Sequence, residues 1–226
     1  MDPILLLHGA LGAQSQLDPL KAALEKQGRT VYSLDFSGHA GVPFSASGFG
    51  IETFAEDVFL FLKTRNIPSA DIFGYSMGGY VALWLAHIHP EKVGRIVTLG
   101  TKFDWSEASA ERETKKLDSE KITAKVPAFA RVLERRHAPN DWKELLHKTS
   151  AMMMGLGRKP LLTEDILKSI PHKTTVCLGD TDDMADREYS EAVAGLLPQG
   201  QFKLLENTPH PIEKVDTDLL QKIVTG

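Results

Sequence analysis

Cysteine occurs once in the 226 residues, at Cys177. A single thiol forbids an intrachain disulfide and rules out a thiol-rich metal site. Excess positive charge is missing too: 26 Lys and Arg face 30 Asp and Glu, a net charge of −4, with the signs interspersed. Non-specific nucleic-acid binding needs a basic stripe, so no nucleic-acid partner is expected. The longest apolar stretches, Ile4-Leu5-Leu6-Leu7 and residues 81–88, fall far short of the roughly 20 residues that span a bilayer, so no membrane span is expected. Met1-Asp2-Pro3 lacks the basic and apolar regions of a signal peptide, which makes the cytoplasm the expected compartment. Long polar tracts and internal repeats are absent as well. What is present is ordinary: 42% apolar, 25% charged and 8% aromatic residues, the balance of one globular domain.

The apolar pattern alternates between short β-type runs and helical stretches. Ile4-Leu5-Leu6-Leu7 ends at His8-Gly9 and reads as a strand buried on both faces. Leu17, Leu20, Ala23 and Leu24 then recur at helix spacing until Gly28. Strands are expected over 30–35, 70–74 and 95–100, with helices over 51–63 and 78–89. From about 104 to 170 no strand is evident, only charged amphipathic material punctuated by Pro127, Pro139 and Pro160. Alternation resumes with strands at 174–179 and 201–205 and helices at 188–197 and 212–224. Such alternation predicts a mostly parallel sheet of about six strands with helices on both faces. The expected organisation is one α/β core, residues 1–103 and 171–226, interrupted by a helical cap insertion over 104–170.

Chemistry concentrates where strands end. Gly74-Tyr75-Ser76-Met77-Gly78-Gly79 has the form G-x-S-x-G between an expected strand and an expected helix. Small residues two before and two after the serine let strand and helix approach, and the sharp turn lifts the hydroxyl clear of the sheet. The bland alternative is a glycine-rich turn with an incidental serine. A serine hydroxyl is a poor nucleophile by itself, so a base and an orienting acid must come from elsewhere. Asp180, Asp182 and Asp183 follow the strand ending at Gly179, and His210 follows the last strand, so all lie at the carboxyl edge of the sheet with Ser76. The order Ser, Asp, His is the one a nucleophile elbow requires. In that design one oxyanion donor is the amide after the serine, Met77, and the other comes from His8-Gly9-Ala10-Leu11-Gly12, through Ala10. A dinucleotide site would need G-x-G-x-x-G, and this loop has only Gly9 and Gly12.

Taken together, His8–Gly12, Asp35-Phe36-Ser37-Gly38-His39, the Gly74–Gly79 elbow, Pro90-Glu91-Lys92-Val93, Gly179-Asp180-Thr181-Asp182 and His210 resemble the α/β-hydrolase superfamily, in its group of small capped esterases and thioesterases. The resemblance implies Ser76 as nucleophile, Asp182 as acid, because the acid usually follows the strand-end glycine by three positions, and His210 as base. It implies a small-molecule acyl substrate, an ester or thioester, with no cofactor and no metal. Other reactions on the same fold and triad are the alternatives: carbon–carbon bond hydrolysis, a menaquinone-pathway type of lyase reaction, or perhydrolysis. A non-catalytic ligand-binding protein is a further alternative, though binding alone would not need all three groups. The sequence departs from the family in starting its first strand at Ile4 without a preceding hairpin, and in flanking His210 with Pro209 and Pro211.

Other residues carry plainer expectations. His8 should bond loop backbone, His39 should be a satisfied loop histidine or line the site mouth, and Cys177 should act as a small hydrophobe. Met152-Met153-Met154 reads either as helix packing or as a pliable pocket wall, and the mixed charges over 107–125 as a solvated face.

Overall fold

The computed structural model describes residues 2–226. Six strands form one sheet, in which every pairing is parallel. They are β1 (Ile4–Leu7), β2 (Val31–Leu34), β3 (Ala70–Tyr75), β4 (Val93–Leu99), β5 (Thr174–Thr181) and β6 (Gly200–Pro209), in the spatial order β2-β1-β3-β4-β5-β6. Parallel neighbours require crossovers, which helices supply. The core helices are α1 (Asp18–Lys26), α2 (Ile51–Thr64), α3 (Met77–Ile88), α9 (Arg187–Leu196) and α10 (Thr217–Thr225).

Strand periodicity explains why both faces are covered. Along β1, Leu5 and Leu7 point to one side and Ile4 and Leu6 to the other, and all four are fully buried. The Leu5 side joins Ile72 of β3 and Ile96 of β4 against Phe54 and Val58 of α2, Leu83 of α3 and Val193 of α9. The Ile4 side joins Phe73 and Val97 against Leu20 and Leu24 of α1 and Leu220 and Ile223 of α10. Each such side chain contributes about 1.5–3 kcal/mol on leaving water, so β1 adds roughly 6–12 kcal/mol to the closure of the two layers.

Between β4 and β5 the chain forms α4 (Glu107–Thr114), α5 (Ser119–Lys125), α6 (Pro127–His137), α7 (Trp142–Arg158) and α8 (Glu164–Ser169), and no strand among the described residues. These helices have an apolar centre of their own, where Leu133, Trp142, Leu145 and Leu146 meet Leu11 of the loop after β1. The charges over 107–125 are not all solvated as their mixture suggests: Glu113 is buried, together with Ser109 and Ala110. The reason is that α4 lies against α7 so closely that a Cβ at Gly157 would stand 2.6 Å from that of Ala110.

The largest differences in extent from the sequence pattern are in β6 and the C-terminal helix. β6 runs to Pro209 rather than stopping near Leu205, because its pairing with β5 slips between Gly179 and Thr181 and then resumes at Thr181–Pro209. The expected helix over 212–224 is a short 3-10 turn at Ile212–Lys214 followed by α10, capped by the Asp216 carboxylate on the Leu219 amide.

Candidate active site

The strand order reverses its direction of growth between β1 and β3, and open α/β sheets place ligand crevices beyond the carboxyl ends of strands at such points. Ser76 stands there. It joins β3 directly to α3 with φ +52° and ψ −117°, a conformation that non-glycine residues rarely adopt. Two glycines make the turn possible: a Cβ at Gly74 would meet the Gly79 nitrogen at 2.4 Å, and one at Gly78 the Leu7 carbonyl oxygen at 2.5 Å. The turn is tied down on both sides, by the Ser76 N–H donating to the Leu99 carbonyl and by Thr101 Oγ1 donating to the Ser76 carbonyl.

The structure distinguishes among the three aspartates after Gly179. The Asp182 side chain is buried, and its Oδ2 lies 2.8 Å from His210 Nδ1. Its Oδ1 accepts the Met184 and Ala185 amides at 2.8 and 3.0 Å, which fix the carboxylate plane. Asp180 instead accepts the Thr208 amide, holding the end of β6, and Asp183 is exposed. His210 follows β6 directly. Its carbonyl receives the Tyr75 hydroxyl at 3.0 Å, and the two rings are 5.4 Å apart. Burial pushes the Tyr75 phenol well above its ordinary range, so it stays a donor. Ser76 and His210 line one cavity of about 220 Å³, with no direct hydroxyl–imidazole hydrogen bond among the described contacts.

The Ala10 and Met77 residues line the same cavity, and neither backbone N–H donates to a protein acceptor among the described residues. Met77 opens the 12-residue α3, so its amide also lies at the positive end of a helix dipole. Most of the rest of the wall is apolar and mixed in origin: Ile51 and Tyr80 come from the core, Met152, Met153 and Leu156 from α7. Of the methionine run, Met152 and Met153 face this cavity, whereas Met154 approaches the Thr114 hydroxyl.

Sequence reasoning overlooked several contributors. Gly100 has φ +61°, and a Cβ there would stand 2.8 Å from Asp182 Oδ2 and 3.2 Å from His210 Nδ1, so only glycine leaves room for that pair. Its place at the end of β4, next to the elbow strand, was a signal available in the pattern. Tyr75 and Thr101 gave no signal beyond proximity. Arg136 and His137 of α6 both donate to the Leu11 carbonyl, each at 3.0 Å, and so hold the loop that carries Ala10.

Three histidines outside the site are buried: His8, His39 and His137. His8 Nε2 accepts the Phe36 amide, which leaves Nδ1–H to donate to the Gly9 carbonyl. His137 Nδ1 accepts the Ala40 amide and its Nε2–H serves Leu11. Desolvation lowers the imidazole pKa of each to about 4. His39 is a half-satisfied loop histidine away from the site mouth: Nδ1 bonds the Ser37 carbonyl at 3.2 Å, while the ring is enclosed between Phe49, Phe54, His8 and His137 with Nε2 unpartnered. Cys177 is buried in β5, and burial pushes its thiol up to about 12.

Among the described residues no helix is long and apolar enough to cross a membrane. The chain matches the family described as "alpha/beta hydrolase fold" over residues 2–149. It is 39% identical over 90 residues to the pimeloyl-acyl-carrier-protein methyl ester esterase of Neisseria meningitidis, covering 40% of this chain and 33% of that one. It is 25% identical over 251 residues to RutD of Serratia proteamaculans, for which carbamate hydrolysis is the suggested activity, covering 99% of this chain and 90% of the relative. The matched stretch thus spans about a third of the first relative's length and most of the second's. Among solved structures, NosK from Streptomyces actuosus superposes with a TM-score of 0.83 at 19% identity, over 99% of this chain and 96% of that one. With a family match over more than half its length, the chain belongs to the alpha/beta hydrolase fold family.

Proposed function

We propose that this enzyme is a cofactor-independent serine hydrolase of small carboxylic esters or thioesters, with Ser76 as nucleophile, His210 as base and Asp182 as the acid that orients it. One observation carries the reading: a serine held at positive φ at a helix N-terminus shares a cavity with an imidazole whose other nitrogen is held by a buried carboxylate. Ser76 Oγ attacks the carbonyl carbon while His210 Nε2 takes its proton. The charge that develops on the carbonyl oxygen falls to the Ala10 and Met77 amides; removing one donor of this kind costs about 2.7–4 kcal/mol. Collapse of the tetrahedral intermediate breaks the bond to the alcohol or thiol, which leaves with the proton from His210. Water then repeats the sequence on the acyl-enzyme. The 104–170 insertion acts as a cap in this reading, supplying Met152, Met153 and Leu156 to an apolar acyl pocket. The esterase named above, which acts on a methyl ester, agrees with this substrate class.

Labelling with a fluorophosphonate tests the nucleophile. Single labelling at Ser76, abolished in Ser76→Ala, is the expected result. Persistence of the label in Ser76→Ala would assign the chemistry to another residue.

A further inference from the structure

Away from Ser76, His210 and the tyrosines, most of the cavity wall is apolar. Two charged side chains stand on its wall, Lys102 from the loop after β4 and Glu113 from α4. Both are largely buried, at 12% and 7% side-chain exposure. Each is held by a partner outside the pair. The Lys102 ammonium lies 2.7 and 2.9 Å from the two Asp104 carboxylate oxygens, which occupy at most two of its three N–H donors. Glu113 Oε2 accepts from Lys116 at 2.7 Å. Glu113 Oε1 has no hydrogen-bond donor among the described residues, and it lies 4.0 Å from Lys102 Nζ.

That distance is too long for a direct hydrogen bond and suited to a bridge. An oxygen about 2.7 Å from a carboxylate oxygen and about 2.9 Å from an ammonium nitrogen closes a 4.0 Å span at an angle near 90°. A hydroxyl meets both demands, because its proton donates to Oε1 while a lone pair accepts from Nζ. A hydrocarbon meets neither and would leave two charged groups facing apolar surface.

We infer that Lys102 and Glu113 read a hydroxyl group on the acyl part of the substrate, so that the preferred substrates are hydroxyacyl esters or thioesters rather than plain fatty acyl ones. This rests on the serine hydrolase reading and names the substrate class for the same site. Lys102 and Glu113 act in specificity and take no part in the proton transfers at Ser76.

The test compares kcat/KM of the whole enzyme on p-nitrophenyl esters from butanoate to octanoate with that on their chain-hydroxylated counterparts. Hydrogen bonds to charged groups imply a preference of about 10- to 100-fold for the hydroxylated ester that places its oxygen in the bridge. The ratio should collapse towards unity in both Glu113→Gln and Lys102→Met. Equal turnover of the two series by the unsubstituted enzyme overturns the inference without any variant, so a variant that misfolds does not shelter it. A preference that survives in either folded variant also overturns it, as a selective site elsewhere would then be responsible. Turnover of neither series, with Ser76 still labelled by a fluorophosphonate, refutes the hydroxyacyl class alone; loss of both turnover and labelling refutes the hydrolase reading itself.

Discussion

Replacing Asp182 by asparagine should stop the enzyme without unfolding it, and the hydrogen bonds around the side chain say why. Asp182 Oδ1 accepts two backbone amides, from Met184 and Ala185, at 2.8 and 3.0 Å. In Asp182→Asn the amide oxygen must stay there, since a flipped NH2 would meet two donors and forfeit about 1–3 kcal/mol for each unsatisfied group. The NH2 therefore faces His210 Nδ1, which at present sits 2.8 Å from Oδ2. An N–H donor at that position requires Nδ1 to accept, so the imidazole proton moves to Nε2, the nitrogen that should take the Ser76 proton. Every hydrogen bond is kept and the base is lost. Turnover should fall by roughly three to four orders of magnitude, or about 4–5 kcal/mol of barrier at 1.36 kcal/mol per tenfold. The assay is kcat on an activated ester, together with thermal unfolding to show that the variant is folded. Asp180→Asn and Asp183→Asn should each cost far less, because Asp180 holds the Thr208 amide and Asp183 is exposed. A folded Asp182→Asn with less than a tenfold loss, or collapse in a neighbour's variant, would refute the assignment.

Gly78→Ala should destabilise the fold by about 1–3 kcal/mol, because its Cβ would stand 2.5 and 2.8 Å from the Leu7 and His8 carbonyl oxygens, which are backbone and cannot swing away. It should also lower kcat by displacing the chain that leads to Ala10, and an unchanged melting temperature with unchanged kcat would contradict the packing described for the elbow. Acid should weaken the folded state. His8 is held at about 4 when folded against 6.5 unfolded, so its contribution is complete above pH 6.5 and is lost as pH falls towards 4. The slope from His8 alone is about 1.4 kcal/mol per pH unit, steepened by His39 and His137, whose pKa values are lowered in the same direction. A urea midpoint that is the same at pH 7 and pH 5 would show that the three rings are not enclosed and neutral.

How much was legible beforehand varies with the range of the forces involved. Ile4-Leu5-Leu6-Leu7, the 3.6-residue spacing of Phe54, Val58, Phe61 and Leu62, and the glycines around Ser76 determine strand, helix and turn through local sterics and burial. Those signals are contained within a few residues, so they survive in a single sequence. Chain order and strand ends also placed Ser76, the aspartate loop and His210 on one edge, since a parallel sheet collects its carboxyl ends there. Family spacing pointed to Asp182, but the contacts that separate the aspartates are tertiary: Asp180 lies within β5 and faces the Thr208 amide, while Asp182 lies just past the strand end and turns onto His210. Tertiary structure likewise decided that Glu113, one charge among many on a short helix, faces a cavity beside Lys102, and that Gly100 must leave room for Asp182 and His210. Contacts between residues distant in sequence depend on how helices and loops pack over the sheet. A pattern along one chain does not record that packing.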